Sequence, residues 1–308
     1  MKGPLFYSKI LLFGEYGIIK DSKGLSIPYN FYNGALKKTE NPSETALKSN
    51  QSLRRFVEYL KNINPELVTF DIESLAIDVN EGMYFDSSIP QGYGVGSSGA
   101  LVAAIYDKYA QDKITVLENL TREKLLKLKT IFSEMESFFH GKSSGLDPLN
   151  SYLSIPILIN SKDNIEATGI PAQQNGKGAV FLLDSGIIGE TAPMVSIFME
   201  KMKQEGFRKM LTNKFIKHTD ACVDDFLSGD IKSLFKNTKQ LSKVVLSHFK
   251  PMIPIQFHEL WRKGIETNDY YLKLCGSGGG GYILGFTEDI DKAKLSLTGY
   301  KLEVVYNF

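Results

Sequence analysis

The chain has 308 residues, 43% hydrophobic and 23% charged, with 36 Lys and Arg against 35 Asp and Glu. That is enough apolar material for two domains or one large one, and it argues against disorder. A formal net charge of +1 leaves no global excess for nucleic-acid phosphates or an anionic membrane, so neither partner is expected. No apolar run approaches the roughly 18 residues of a membrane span. The opening MKGPLFYSKILLFGEYG lacks the apolar core and cleavage site of a signal peptide. Cys222 and Cys275 are too sparse for a disulfide scaffold or a zinc knuckle, so a reducing, cytoplasmic setting is expected.

In chain order, Leu5 to Phe13 reads as a strand entering the turn Gly14-Glu15-Tyr16-Gly17, and a second strand from Gly24 to Ile27 stops at Pro28. Residues 43–62 read as a helix capped by Ser43, with Leu47, Leu53, Phe56, Val57 and Leu60 on its apolar face. The alternation of Val68, Phe70 and Ile72 predicts one or two strands over 67–79. A glycine-rich stretch then leads into a helix starting near Ser97. Leu125, Leu128, Phe132, Met135 and Phe139 step by three and four, an amphipathic helix over 121–140 that ends at Gly141. GKSSGLDP reads as a loop, followed by strands at 152–159 and 179–183. Residues 193–249 are mostly helical, with another helix at 255–266. The chain closes as strand 271–275, glycine loop, strand 282–286, helix 290–297 and strand 301–306. The turn after Asp184 divides two domains, 1–185 and 186–308.

Gly92, Gly94, Gly96 and Gly99 form one glycine cluster, and Gly276, Gly278, Gly279, Gly280 and Gly281 a second. Both match G-x-G-x-x-G, but Pro90 and Gln91 stand where a strand should lead into the first, and the second leads into a strand. A Rossmann domain is therefore disfavoured. Gly141-Lys142-Ser143 ends like a Walker A loop, but Glu136 occupies the position that must be glycine. What survives is a backbone free to adopt positive φ and to expose successive N–H groups at a helix N-terminus, an anion cradle suited to phosphate. Ser97 and Ser98 add hydroxyls for a phosphate oxygen or Mg²⁺. A flexible, serine-capped surface turn is the bland alternative. Five glycines within residues 276–281 exceed what a turn needs, which predicts that something packs directly against that backbone.

Glu136 lies beside the apolar stripe of its helix, and Asp147 follows eleven residues later in a tight loop. A carboxylate on a helix suits Mg²⁺ ligation and one on a loop suits proton abstraction, although by residue type both are ordinary surface carboxylates. Lys9, inside an otherwise apolar strand, needs a partner such as a buried carboxylate. The four histidines show no metal-ligand spacing, and His140 reads as a helix-end residue facing the negative end of the dipole.

Three motifs in order, SKILLFGEYGII, PQGYGVGSSGA and LCGSGGGGYILGF, resemble those of the GHMP kinase superfamily, whose members phosphorylate small metabolites with ATP and Mg²⁺. The second is similar to the family's P-x-G-x-G-L-G-S-S-A phosphate loop, with Val95 for Leu and Gly99 for Ala. Within the superfamily the resemblance is to mevalonate kinases, whose E-x-x-x-H-G-x-x-S-G-x-D stretch is reproduced from Glu136 through His140, Gly141, Ser144 and Gly145 to Asp147. It covers essentially the whole chain.

The resemblance implies an α/β (α+β) two-domain fold: an N-terminal, ATP-phosphate-binding α/β domain with a left-handed βαβ unit, and a C-terminal ferredoxin-like domain. It implies Asp147 as the catalytic base, with Lys9 beside it to hold the carboxylate ionised and stabilise developing charge. Ser98 and Glu136 would ligate Mg²⁺, and Gly92, Gly94, Val95, Gly96, Ser97, Ser98 and Gly99 would wrap the ATP phosphates. Glu15, Tyr16, Gly278 and Gly279 would belong to the acceptor site. The implied activity is transfer of the ATP γ-phosphoryl group to the hydroxyl of mevalonate in isoprenoid precursor synthesis, with ATP and mevalonate as partners; a homodimer is compatible with it. The first motif departs from the usual G-E-H at Tyr16, and G-E-Y is reminiscent of bacterial phosphomevalonate kinases, so a phosphomevalonate kinase or other GHMP kinase is the first alternative. A nucleotide-binding regulator without turnover would be expected to lack the base and the metal ligand.

Overall fold

The computed structural model describes residues 4–115 and 119–308, which fall into two compact units. The first gathers the described residues of Met1–Lys9, Ile27–Pro90 and Gly96–Ile155, and the second those of Ile10–Ser26, Gln91–Val95 and Pro156–Phe308. Strands β1 (Phe6–Phe13) and β2 (Gly24–Lys38) each contribute residues to both. Residues 10–26, 91–95 and 156–185, which the sequence assigns to the N-terminal domain, cluster with the second unit.

In the first unit, Gly34 to Lys38 of β2 pair antiparallel with β3 (Met83–Ser87), a strand the sequence reading missed. The expectation that Pro28 ends β2 is wrong. Pro28 falls between Gly24–Ser26, which pair with a later strand, and Gly34–Lys38, so its missing N–H interrupts neither ladder. Helix α1 (Glu44–Leu60) is capped as expected, Ser43 Oγ accepting from Ala46 N–H at 3.2 Å. Its buried face uses Ala46 where Leu47 was expected, and Leu47 is exposed.

The strands expected over 67–79 are instead dominated by helix α2 (Ile72–Asn80). Asp71 Oδ1 accepts from Ser74 N–H at 3.0 Å, and Leu75 and Val79, four residues apart, supply the buried stripe. A cap and a helical repeat thus outweigh three alternating residues.

Helices α3 (Ser97–Tyr109) and α4 (Arg122–His140) follow as the sequence predicts, Thr121 Oγ1 accepting from Lys124 N–H at 3.4 Å. The side chain of His140 lies outside the described residues. The next segment is a correction: α5 (Leu146–Leu153) begins inside the expected loop and runs into the expected strand. Gly145 at φ 72° opens it, and Pro148 sits in its first turn, where no intrahelical N–H is needed. Ser154 in the left-handed conformation ends it, so the strand starts only at Ile157.

Tyr106 of α3, Phe132 of α4 and Tyr152 of α5 form an edge-on triangle with ring centroids 5.0, 5.2 and 5.6 Å apart. Each such pair adds about 0.5–1.5 kcal/mol beyond the area it buries. The triangle fixes the three helices that carry Ser98, Glu136 and Asp147.

In the second unit, β2 residues Gly24 to Ser26 pair antiparallel with β4 (Ile157–Ser161), which pairs with β5 (Asn164–Ala167). A second sheet holds β6 (Ala179–Asp184), β7 (Tyr271–Leu274), β8 (Tyr282–Thr287) and β9 (Leu302–Asn307) in the order β7-β8-β6-β9. Its ladders are all antiparallel. Helices α6 (Thr191–Met202), α7 (Glu205–Met210), α8 (Lys217–Ser228), α9 (Ile231–His248) and α10 (His258–Thr267) connect β6 to β7, and α11 (Ile290–Ser296) connects β8 to β9. A β-α-β-β-α-β chain with this strand order is the ferredoxin-like arrangement. Among the described residues, no helix is long and apolar enough to cross a membrane.

Candidate active site

The site in the first unit is assembled where α3 and α5 begin. Gly96, at φ 81°, is the residue before α3, and it makes no side-chain cap, so the positive end of the helix opens at the turn. A Cβ on Gly96 would lie 3.1 Å from Lys9 Cγ and 3.3 Å from Lys9 Cε. Lys9 thus runs directly under the turn. Its ammonium pairs with Asp147 Oδ1 at 2.8 Å, which answers the need of a lysine in an apolar strand. The lysine side chain is 4% exposed and the aspartate 37% exposed, so Asp147 faces solvent while its cation does not. Asp147 sits in the first turn of α5 rather than in a loop, a more rigid mount than expected.

Gly99 is needed where two helices meet. A Cβ there would lie 2.7 Å from the backbone carbonyl carbon of Asp147 and 2.8 Å from Pro148 N, so the first turns of α3 and α5 touch through backbone. Gly99→Ala gains about 1 kcal/mol of helix propensity. Overpacking costs about 1–3 kcal/mol, and the backbone it displaces carries Asp147. The variant is expected to melt lower and, because a 1 Å misplacement can cost about a hundredfold, to lose about tenfold to a hundredfold in kcat. Melting and turnover both unchanged would contradict the close packing.

Glu136, 3% exposed, has both carboxylate oxygens engaged. Oε1 accepts from Ser98 Oγ at 2.9 Å, and Oε2 accepts from Ser143 Oγ. Burial, and next the Asp147 charge, push its carboxyl up to about 7, opposed by the two hydroxyls and Lys9. The protonated form is the one the fold favours. Its stabilisation is complete below the ordinary carboxylate range and is lost as pH rises through the folded value of about 7. Glu136→Gln, neutral at every pH, is therefore expected to stabilise the metal-free protein relative to wild type at pH 8.5 by on the order of 1–3 kcal/mol, with little gain at pH 5. Melting in EDTA at both pH values reads this directly; a pH-independent difference would contradict it.

The other residues singled out by sequence lie in the second unit. Glu15 Oε1 accepts from Lys273 Nζ at 2.6 Å, with both side chains no more than 5% exposed. Tyr16, at φ 61°, donates its hydroxyl to Ser277 O at 2.7 Å and stacks on Phe198 at 4.6 Å. Burial, then the Glu15 charge, raises its phenol far above the usual range, so it stays protonated. The second glycine cluster meets backbone, as its excess of glycine predicts. Gly276 packs on Gly94 and Gly281 on Tyr93, while Cβ atoms at Gly278 and Gly280 would lie 2.6 Å from Met252 O and 2.8 Å from Ile187 O. Gly279 abuts the Met194 side chain. Gly92 O accepts from Gly189 N–H at 2.9 Å, and Val95 is buried.

Residues 53–154 match the family described as GHMP kinases N terminal domain. No curated protein sequence matches the chain. Among solved structures, L. major mevalonate kinase in complex with R-mevalonate is 16% identical with a TM-score of 0.64, covering 100% of this chain and 99% of that one. Mevalonate kinase from methicillin-resistant Staphylococcus aureus MRSA252 is 20% identical with a TM-score of 0.55, covering 98% of each chain. Streptococcus pneumoniae phosphomevalonate kinase in complex with phosphomevalonate and AMPPNP is 13% identical with a TM-score of 0.64, covering 98% of this chain and 99% of that one. The likeness is one of fold, and it extends over nearly the whole chain.

The matched stretch contains Gly96 to Gly99, Glu136 and Asp147, whereas Lys9 precedes it. Two participants escaped the sequence reading. Ser143 looked like the end of a failed Walker A loop, and Lys273 like an ordinary strand residue; a lysine flanked by Tyr271, Leu272 and Leu274 carries the same signal that singled out Lys9. The donors around Glu136 are hard oxygens, which suits Mg²⁺. Among the described residues no group of three or more His, Cys, Asp or Glu could hold a metal. Mg²⁺ needs no such cage when one carboxylate, a hydroxyl, waters and nucleotide phosphates supply its six oxygens.

Proposed function

We propose that the protein is an ATP- and Mg²⁺-dependent small-molecule kinase that phosphorylates the primary hydroxyl of mevalonate to give 5-phosphomevalonate in the cytoplasm. The observation that carries this reading is the Lys9–Asp147 pair at 2.8 Å directly beneath Gly96 at the uncapped start of α3. A base, a cation and an anion-binding helix end thus lie within one small region of the GHMP kinase domain and β1.

Asp147 accepts the proton of the acceptor hydroxyl as the oxygen attacks the γ-phosphorus, and the bond from that phosphorus to the bridging oxygen of ADP breaks. The Lys9 ammonium offsets the negative charge gathered there. Backbone amides from Gly94 to Gly99 would hold phosphate oxygens, and Ser98 Oγ with Glu136 would hold Mg²⁺, which would supply neutralisation of phosphate charge. Glu15, Tyr16, Gly278 and Gly279 are assigned to the acceptor side on the resemblance of their motifs. Gly14-Glu15-Tyr16 in place of G-E-H favours a second reading, phosphomevalonate as acceptor.

ADP release with mevalonate, phosphomevalonate, galactose and homoserine tests both. Turnover of mevalonate well above the others is expected; none with mevalonate, alongside turnover of another member, would overturn the leading reading.

A further inference from the structure

Ser143 is fastened at every polar atom. Its N–H donates to Ser137 Oγ at 3.3 Å, and its carbonyl accepts from Ser133 Oγ at 2.6 Å. Its own Oγ accepts from Gly145 N–H at 3.1 Å while donating to Glu136 Oε2. Ser133 and Ser137 are one helical turn apart on α4, so they grip the returning loop along the face that carries Glu136. Gly145 permits the approach, since a Cβ there would lie 2.1 Å from Lys129 O. The hydroxyl is thus held in place before any ligand arrives, and its proton is aimed at one oxygen of a buried carboxylate.

The two oxygens of Glu136 are divided between two hydroxyls, Oε1 to Ser98 and Oε2 to Ser143. We propose that Ser143 is a positioning residue that reserves Oε2, leaving Oε1, beside Ser98 Oγ, as the single carboxylate oxygen offered to a divalent cation; this rests on the metal role given to Glu136 above. One-oxygen presentation discriminates between cations. Mg²⁺ keeps a strict octahedron and draws few ligands from protein, whereas Ca²⁺ readily takes both oxygens of a carboxylate. Ser143 therefore favours Mg²⁺ and disfavours Ca²⁺. As a structural residue the serine acts through its N–H, its carbonyl and the Gly145 N–H that its Oγ accepts, none of which alters the preference for one cation over another. The cation role needs the hydroxyl.

Two substitutions separate these roles. Thr and Val are nearly isosteric, and only Thr keeps the hydroxyl. With the full-length chain saturated with AMPPNP, Mn²⁺ binding is followed by electron paramagnetic resonance for wild type, Ser143→Thr, Ser143→Val and Glu136→Gln, with Mg²⁺ and Ca²⁺ as competitors. Ser143→Val is expected to weaken Mn²⁺ about tenfold to a hundredfold, the usual cost of losing an outer partner of a metal ligand, and to narrow the preference for Mg²⁺ over Ca²⁺. Ser143→Thr should restore both. Ser143→Val binding Mn²⁺ within twofold of wild type, with Glu136→Gln weakened, would overturn the role of Ser143 and leave Glu136 as ligand. Unchanged binding in Glu136→Gln would overturn both. Equal losses in the Thr and Val variants would mean that shape matters and the hydroxyl does not.

Discussion

Asp147→Asn is expected to lower kcat by about 10²–10⁴-fold, the contribution of a positioned general base, while nucleotide binding stays near that of wild type. Asn keeps the size of the side chain and an oxygen that can accept from Lys9, so the first turn of α5 and its contact with Gly99 are preserved. What disappears is the proton acceptor and the charge. The α3 amides and Ser98 are untouched, and Glu136 loses only the Asp147 charge that helps raise its carboxyl, a change that favours its ionised, metal-binding form, which is why binding and turnover should separate. Weaker charge compensation for the buried Lys9 ammonium lowers stability as well, so kcat is to be read well below the variant's melting temperature. Near-native kcat in folded Asp147→Asn protein would remove Asp147 as the base.

Lys273→Met is expected to destabilise the protein by about 3–5 kcal/mol, because it strips the cation from a carboxylate that stays buried. Lys273 Nζ lies 2.6 Å from Glu15 Oε1 and 2.8 Å from Leu274 O, and the Lys273 and Glu15 side chains are at most 5% exposed. For a chain of this size the loss corresponds to a fall in melting temperature on the order of 10 °C. The double variant Glu15→Leu/Lys273→Met should recover most of it, since apolar replacement of a whole buried pair is often neutral. A melting temperature for Lys273→Met within about 2 °C of wild type would show that water reaches the pair. The same measurement informs the role of Glu15. A residue that acts only on the acceptor changes KM and leaves melting alone, whereas this pair predicts loss of stability first.

Much of the architecture was legible because it rests on local signals. Ser43 and Thr121 cap helices where they should, the apolar steps from Leu125 to Met135 bury one face of α4, and the strands and helices from residue 179 onward follow in the expected order. The failures share a cause. Around residues 67–79 and 146–159 the choice between strand, loop and helix was made by one capping residue, Asp71 or Gly145, and by packing against helices distant in sequence. Lys9 and Asp147 could each be suspected alone, but nothing in their spacing says that they meet. Glu136 read as a surface carboxylate by type and proved buried between two hydroxyls. Ser143 was invisible, because its role depends on where α4 and the turn after it return to each other.

The central claim is that Asp147 and Lys9 serve phosphoryl transfer to an alcohol. Phosphorus NMR of the full chain with ATP, Mg²⁺ and mevalonate tests it most directly. One new phosphomonoester signal is expected for each ADP formed, with loss of both in Asp147→Asn. ADP accompanied only by inorganic phosphate, or a monoester formed equally well by Asp147→Asn, would contradict it.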